Sequence, residues 1–323
     1  MKNAFPLAVV FAAGSLLACG QGSQTPSALL AAARDQSDIF NQAARPFVFE
    51  ADLTVQLAAP MHGHLTIHWQ SRNHWRRELE FGPYKETVVR VGEWEYAQRN
   101  VGFAPFRATQ AVHLLEFAKQ DTHIPVKGAK TRNRDGLVLT CIGLETTGWN
   151  MHSEMCTDSA THEIVSYNPW PYDGAGGSAS FSSYTRIDEM KFPKHLELRV
   201  NNSPAVVVAV TKLEEQTFDT NLLTPPQGST ARRHCDDMTP AVLIQKPPDI
   251  GHLESLSGEA HVEVQVTVMK DGSVGAIQVI GLNSVELADR IRKVWMNVRF
   301  KPAMCGTEPV LVDEEVDMEV TSN

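Results

Sequence analysis

The sequence predicts an α+β protein in two parts: a curved antiparallel sheet, or half-barrel, with helices, followed by a small domain of antiparallel strands packed on a helix. Three observations predict it. The chain has 323 residues, roughly two domains at about 100 to 200 residues each. From Phe47 onward apolar residues recur with period two in run after run, separated by turn residues at hairpin spacing. Charge is also unevenly divided: residues 236–323 hold 15 acidic and 7 basic side chains, a net of -8 out of the whole chain's -9. That shift follows Pro225-Pro-Gln-Gly-Ser-Thr230, a linker by composition, and marks a boundary there.

At the N-terminus, Lys2 is the only charge before an apolar run from Ala4 to Ala18. This is the layout of a secretory signal peptide over 1–18, too short for a span of about 20 residues. Residues 19–25 read as a polar tether. The first domain then covers 26–226. Pro26 to Ala44 predicts a helix, with Leu29, Leu30, Ala33, Ile39 and Phe40 apolar and Pro46 just beyond it. Strands are expected at Phe47 to Leu57, His64 to Trp69, Arg76 to Phe81 and Thr87 to Val91. A helix follows at Thr109 to Lys119. Strands resume at Leu137 to Cys141, Met155 to Thr157, Glu163 to Tyr167, Ser180 to Tyr184, His195 to Val200 and Ala205 to Leu213. A sheet that is apolar on one side must cover that side with helices or enclose something.

Residues 227–239 read as the linker and 240–323 as the second domain. Val262, Val264, Val266 and Val268 alternate with polar residues, Asp271-Gly272 supplies a tight hairpin turn, and Val274 to Ile280 returns as the partner strand. Ser284 is a helix N-cap without a full capping box, because Leu287 stands where the acidic residue would be. Leu287, Ile291, Val294, Trp295 and Val298 form one helical stripe, with Trp295 a core anchor. Val310 to Val320 closes the chain as a strand.

Composition and motifs exclude much. With 42% hydrophobic and 21% charged residues the chain carries enough apolar material for packed cores. A formal charge of -9 argues against a nucleic-acid partner. His62, His64 and His68 share a strand parity, but Gly63 is expected to bend the strand there and no cysteine or carboxylate nearby completes a metal set. Gly-Ala-Gly-Gly at 174–177 does not open a helix, and no serine-elbow or zinc-protease motif is present. The expectation is no catalytic residue, no metal and no cofactor.

Three parts of the chain resemble known families. Leu16-Leu-Ala-Cys19-Gly20 resembles the bacterial lipobox, which implies a lipid-modified Cys19, a membrane anchor and an outer-membrane lipoprotein. Leu17 departs from that pattern, and ordinary cleavage after Ala18 would instead give a secreted periplasmic protein. Phe47-Val-Phe-Glu-Ala-Asp-Leu53, Cys156-Thr-Asp-Ser-Ala-Thr-His-Glu-Ile-Val165, Phe181-Ser-Ser-Tyr184 and Phe192-Pro-Lys-His-Leu-Glu-Leu198, closing with Val208-Ala-Val-Thr-Lys-Leu213, resemble the periplasmic half-barrel proteins related to the carrier LolA. That likeness implies an acyl or other hydrophobic ligand held inside the curve. Lys270-Asp-Gly-Ser-Val274, the helix, Arg299-Phe-Lys-Pro-Ala303, Gly306 and Pro309-Val310 resemble the TonB family C-terminal domain over about 240–320. That implies docking of an envelope partner, such as an outer-membrane receptor segment, by strand addition to an edge bearing Val310, Val312, Glu314, Val316, Met318 and Val320. The transducers of that family also carry an inner-membrane helix and a long Pro-rich spacer, which this sequence does not show, and five acidic residues on the last strand also suit an edge built to resist pairing.

With Cys19 assigned to lipid, four thiols remain. They allow three connectivities, and domain membership selects Cys141 with Cys156, on successive strands, and Cys235 with Cys305. The sequence thus reads as a lipid-anchored, non-enzymatic envelope protein that docks through its C-terminal domain, as in TonB-type transport. The alternative is a periplasmic carrier whose C-terminal domain is structural.

Overall fold

The computed structural model describes residues 25–43, 45–56, 60–119, 124–145, 153–168, 177–235, 237–244, 259–280 and 284–321. The signal peptide, Cys19 and all but the last residue of the tether lie outside them, as does Gly174. The first domain has strands β1 Phe47–Val55, β2 Met61–Ser71, β3 His74–Phe81, β4 Tyr84–Val91, β5 Trp94–Arg99, β6 Val126–Arg134, β7 Leu137–Leu144, β8 Ser153–Asp158, β9 Ile164–Asn168, β10 Ser178–Ile187, β11 Met190–Val200, β12 Ser203–Glu215 and β13 Thr230–Arg233. They form one open, antiparallel sheet of 13 strands in the order β13-β5-β4-β3-β2-β1-β12-β11-β10-β9-β8-β7-β6. Sequential strands pair because their links are tight: Asp135 and Gly136 between β6 and β7, and Asn201 and Asn202 between β11 and β12, all have positive φ, which matches the twist of a two-residue hairpin.

Helices α1 Pro26–Ser37, α2 Ile39–Gln42 and α3 Phe106–Leu115 cover one face, here the inner face. Thr25 caps α1 by accepting from the Ala28 N–H. The helix expected over 26–44 breaks at Asp38, which takes a non-helical conformation between α1 and α2. Inward residues of the central strands, Phe47, Phe49, Ile67, Phe181, Phe192, Leu196 and Val208, bury against Leu30, Ile39, Ala111 and Leu114. Aromatic rings knit this core: Phe47 stacks on Trp69 at 5.0 Å, and Phe117 on Phe181 at 4.4 Å.

Three features depart from the sequence expectations. β5 and β6 lack a clean apolar alternation; β6 reads Val-Lys-Gly-Ala-Lys-Thr-Arg-Asn-Arg and is almost wholly exposed, so its pairing with β7 leaves no period to read. Residues 227–239, expected as linker, contain β13, which satisfies the backbone edge of β5 although its side chains carry no pattern. β2 also runs unbroken through Gly63, whose missing Cβ leaves room for the Glu80 carbonyl, 2.5 Å from where that atom would stand.

The C-terminal domain holds β14 Val242–Leu243, β15 Glu259–Val268, β16 Val274–Ile280, α4 Val285–Trp295, β17 Phe300–Lys301, β18 Ala303–Cys305, β19 Glu308–Val310 and β20 Val312–Thr321. Its sheet runs β16-β15-β20, and β14 pairs with β17. Ser284 accepts from the Leu287 N–H at 3.3 Å, the expected single cap. Gly272 has φ +78° and lies so close to the Phe300 carbonyl that a Cβ would stand 2.0 Å from it, so the Asp-Gly turn requires glycine. Leu287, Ile291, Trp295, Val298 and Phe300 bury on Val262, Val264, Val266 and Val268. Val310 is not on the last strand: β18 and β19 fold back through Gly306, so Val310 opposes Ala303 and is fully buried.

Candidate functional site, a cavity walled by tryptophan and arginine

Strand alternation on the helix-covered face builds a site that no motif announced. Across one row of the sheet, Phe47 faces Trp69, Trp69 faces Trp75, Trp75 faces Arg90 and Arg90 faces Glu95. In the next row Phe49 faces Ile67, Ile67 faces Arg77 and Arg77 faces Val88. The inner face therefore changes from aromatic to charged as it passes from β1 to β5. Helix α3 closes over this transition and leaves a cavity of about 420 Å³, within the size range of small-molecule sites. Phe40, Ile67, Trp69, Trp75, Val112 and Leu115 form its apolar wall. Arg72, Asn73, Arg77, Arg90, Glu95, Glu116, Lys119 and His234 form its polar wall.

The tryptophans are fixed from behind. Trp69 donates its indole N–H to the Phe40 carbonyl at 3.1 Å, and the Arg77 guanidinium lies 5.9 Å from the Trp75 ring centre. Glu86, 3% exposed, sits behind Arg77. It accepts from Arg77 Nη2 at 3.0 Å, from Arg99 Nε at 2.7 Å and from the Tyr84 hydroxyl at 3.1 Å. Burial, the largest influence on Glu86, pushes its carboxyl up, but Arg77 and Arg99 together outweigh it and hold the group below the usual carboxylate range. Tyr84 is pushed well up, first by burial and then by the Glu86 charge.

The ionic chain continues into the C-terminal domain. Asp313, at the start of β20, accepts from Arg99 Nη1 at 3.4 Å, from Arg232 Nη1 at 2.5 Å and from the Thr267 hydroxyl at 2.7 Å. Burial raises the Asp313 carboxyl, yet the charge and hydrogen bond of Arg232, with help from Thr267 and Arg99, bring it below its ordinary value. Arg233 bonds both Glu93 and Glu308, adding a second tie between β13 and the C-terminal domain.

The residues singled out from the sequence fall elsewhere. Cys141 and Cys156 are direct cross-strand partners and form a disulfide, and Cys235 joins Cys305. Cys141, Glu154 and Cys156 are the one cluster of three metal-type ligands among the described residues, and its sulfurs are spent on the disulfide. His62 and His64 lie exposed beside Thr54 and Asp52, while His68 is half-buried against Phe218. β20 pairs with β15 alone among the described residues. On it Val312 and Val316 turn toward the domain core, and Glu314 accepts from the Ala241 N–H at 3.2 Å. The side chains of Met318 and Val320 lie outside the described residues. The cavity residues were missed because charged side chains at inward positions blur the apolar period; the available signal was the shared parity of Trp75, Arg77, Leu79 and Phe81.

The chain is similar to several solved structures. A LolA-superfamily protein from Nitrosomonas europaea shares 7% identity at a TM-score of 0.43, covering 62% of this chain and 98% of that one. A putative outer-membrane lipoprotein-sorting protein domain from Vibrio parahaemolyticus shares 13% at a TM-score of 0.40, covering 60% and 94%. The MucA/MucB complex of Pseudomonas aeruginosa includes a chain with 10% identity and a TM-score of 0.29, covering 87% of this chain and 99% of that one. No family model matches the chain, and no curated protein does.

Proposed function

We propose that the chain is a non-enzymatic binding protein of the bacterial cell envelope, whose first domain carries an acyl or other hydrophobic ligand and whose C-terminal domain is chiefly structural. The observation that carries this reading is the cavity: six apolar side chains, two of them tryptophans, wall a space of about 420 Å³ on the inner face of an open sheet. A closed core would have filled that space with side chains. The envelope location is supported by the signal-peptide layout of the sequence and by two disulfides, which persist in oxidising compartments. Among the described residues no helix is long and apolar enough to cross a membrane.

The test is direct. Solvent extracts of the protein purified from envelopes are expected to contain an amphiphile by mass spectrometry, and the stripped protein to bind a fluorescent fatty acid. Protein with neither property would sink the carrier reading.

A second reading, docking of an extended envelope segment by strand addition, is favoured by one observation: the outer edge of β20 has no strand partner among the described residues. Pull-down from envelope extract with the full chain should then recover an outer-membrane protein. Recovery at background level argues against it.

A further inference from the structure

We propose that the ligand of the cavity is an amphiphile with an anionic head, a carboxylate or a phosphate, and that Arg77, flanked by Arg72 and Lys119, receives that head. This rests on the hydrophobic-ligand reading and adds the chemistry of the head.

The first ground is a charge count along the buried ionic chain. Arg77, Arg99 and Arg232 are three guanidiniums, and Glu86 and Asp313 are the two carboxylates they share. Glu86 divides itself between two arginines and a tyrosine hydroxyl, so Arg77 donates one hydrogen bond to it and does not make the two-pronged pairing that a guanidinium favours. The chain thus carries one positive charge more than its two carboxylates match, and Arg77 is its member that lines the cavity. A second ground is geometric: Arg77 Nε is buried and has no hydrogen-bond partner, although only 22% of the side chain is exposed. A buried donor of this kind costs stability, so Arg77 is held with part of its hydrogen-bonding capacity unused, and the exposed part of its side chain is what the cavity meets. The third is the wall around it, where among the described residues Arg72, Arg90 and Lys119 stand with Arg77 beside two carboxylates, Glu95 and Glu116. Of those carboxylates, Glu116 already pairs with Lys119 at 3.3 Å.

The apolar wall completes the specification. Ile67 is the direct cross-strand neighbour of Arg77, and Trp69 of Trp75. A head held at Arg77 therefore has its chain start on tryptophan and isoleucine, under Val112 and Leu115 of α3. A chain with one charged end uses both halves of the lining, the apolar side for the chain and the charged side for the head.

The experiment compares ligands of one chain length and three heads on the stripped full-length protein: palmitic acid, hexadecyl phosphate and neutral hexadecanol, each competing with a fluorescent probe. At least one of the two anions is expected to bind about tenfold or more tightly than the alcohol, the worth of a charge-assisted hydrogen bond, and the difference should shrink as salt rises. Whichever anion wins identifies the head. Equal affinity for all three overturns the anionic head and leaves the carrier reading standing; no binding of any of the three overturns both. Because Arg77→Gln strips a partner from buried Glu86 and risks misfolding, the assignment is carried by Arg72→Gln with Lys119→Gln and, separately, by Arg77→Lys. The anion preference is expected to fall in both variants with hexadecanol affinity unchanged, and a preference that survives in both overturns the assignment.

Discussion

Strand β15 of the C-terminal domain and strands β3 to β5 of the first domain obey the same alternation and build opposite interiors. On β15 the inward set is Val262, Val264, Val266 and Val268, all essentially without solvent exposure. On β3, β4 and β5 the inward set includes Arg77, Glu86, Arg90, Glu95 and Arg99 among Trp75, Leu79, Val88 and Ala97. One arrangement needs nothing beyond close packing. The other needs every charge matched by an opposite charge or a carbonyl, because burying an ion costs more than its partner returns unless the geometry is good. An apolar set at the same positions would be the simpler route to stability, so the charged wall is better understood through the cavity it lines than through the fold it sits in.

The largest expected effect tests that contrast at its hinge. Glu86→Ala leaves the half-buried Arg77 and Arg99 with their shared, fully buried carboxylate gone, and should cost about 3 kcal/mol in urea unfolding. Val264→Ala removes two methyl groups from the dry core and should cost about 2 kcal/mol, the transfer of the lost atoms plus a small cavity. The comparison breaks if the valine proves the costlier loss.

The same contrast explains what was legible in the sequence. Val262 to Val268, the Asp271-Gly272 turn, the Ser284 cap and the stripe through Trp295 were readable because in the C-terminal domain each local preference agrees with the packing. The central strands of the first domain were readable for the same reason, as were the two disulfides, once Cys141 and Cys156 fell on adjacent strands. β6 and β13 were not, since an edge strand held by backbone bonds on one side needs no apolar pattern. Nor was the site. Arg77 and Glu86 come from different strands, and their pairing depends on a register that turns and bulges fix and that a single sequence does not display. The edge face assigned to Val310 failed for a local reason: the hairpin at Gly306 shifts the start of the last strand past it.

The smallest expected effect concerns the joint between the two regions, where neighbouring carboxylates respond to pH with opposite sign. Asp313 is held below its ordinary value, with Arg232 and Arg99 overcoming the effect of burial. Its contribution is therefore fully present above the unfolded carboxylate pKa of about 3.9 and is lost as pH falls through the lower folded value. Glu314 is raised, chiefly by burial, so the folded state prefers it protonated, and its ionisation at higher pH opposes folding. Asp313→Asn should accordingly cost about 1 kcal/mol near neutrality, the worth of a partly exposed ion pair. Denaturation midpoints taken across a pH series should show that cost steady from neutrality to about pH 5 and closing below it. Glu314→Gln, which keeps an acceptor for the Ala241 N–H, should be neutral or slightly stabilising at pH 7 and lose that advantage on acidification. If the Asp313→Asn gap instead widened in acid, burial and not Arg232 would govern that carboxylate. The ionic chain from Glu86 to β20 would then end at Arg99, and the C-terminal domain would be joined to the charged wall through Arg233 and Glu308 and the Cys235–Cys305 disulfide.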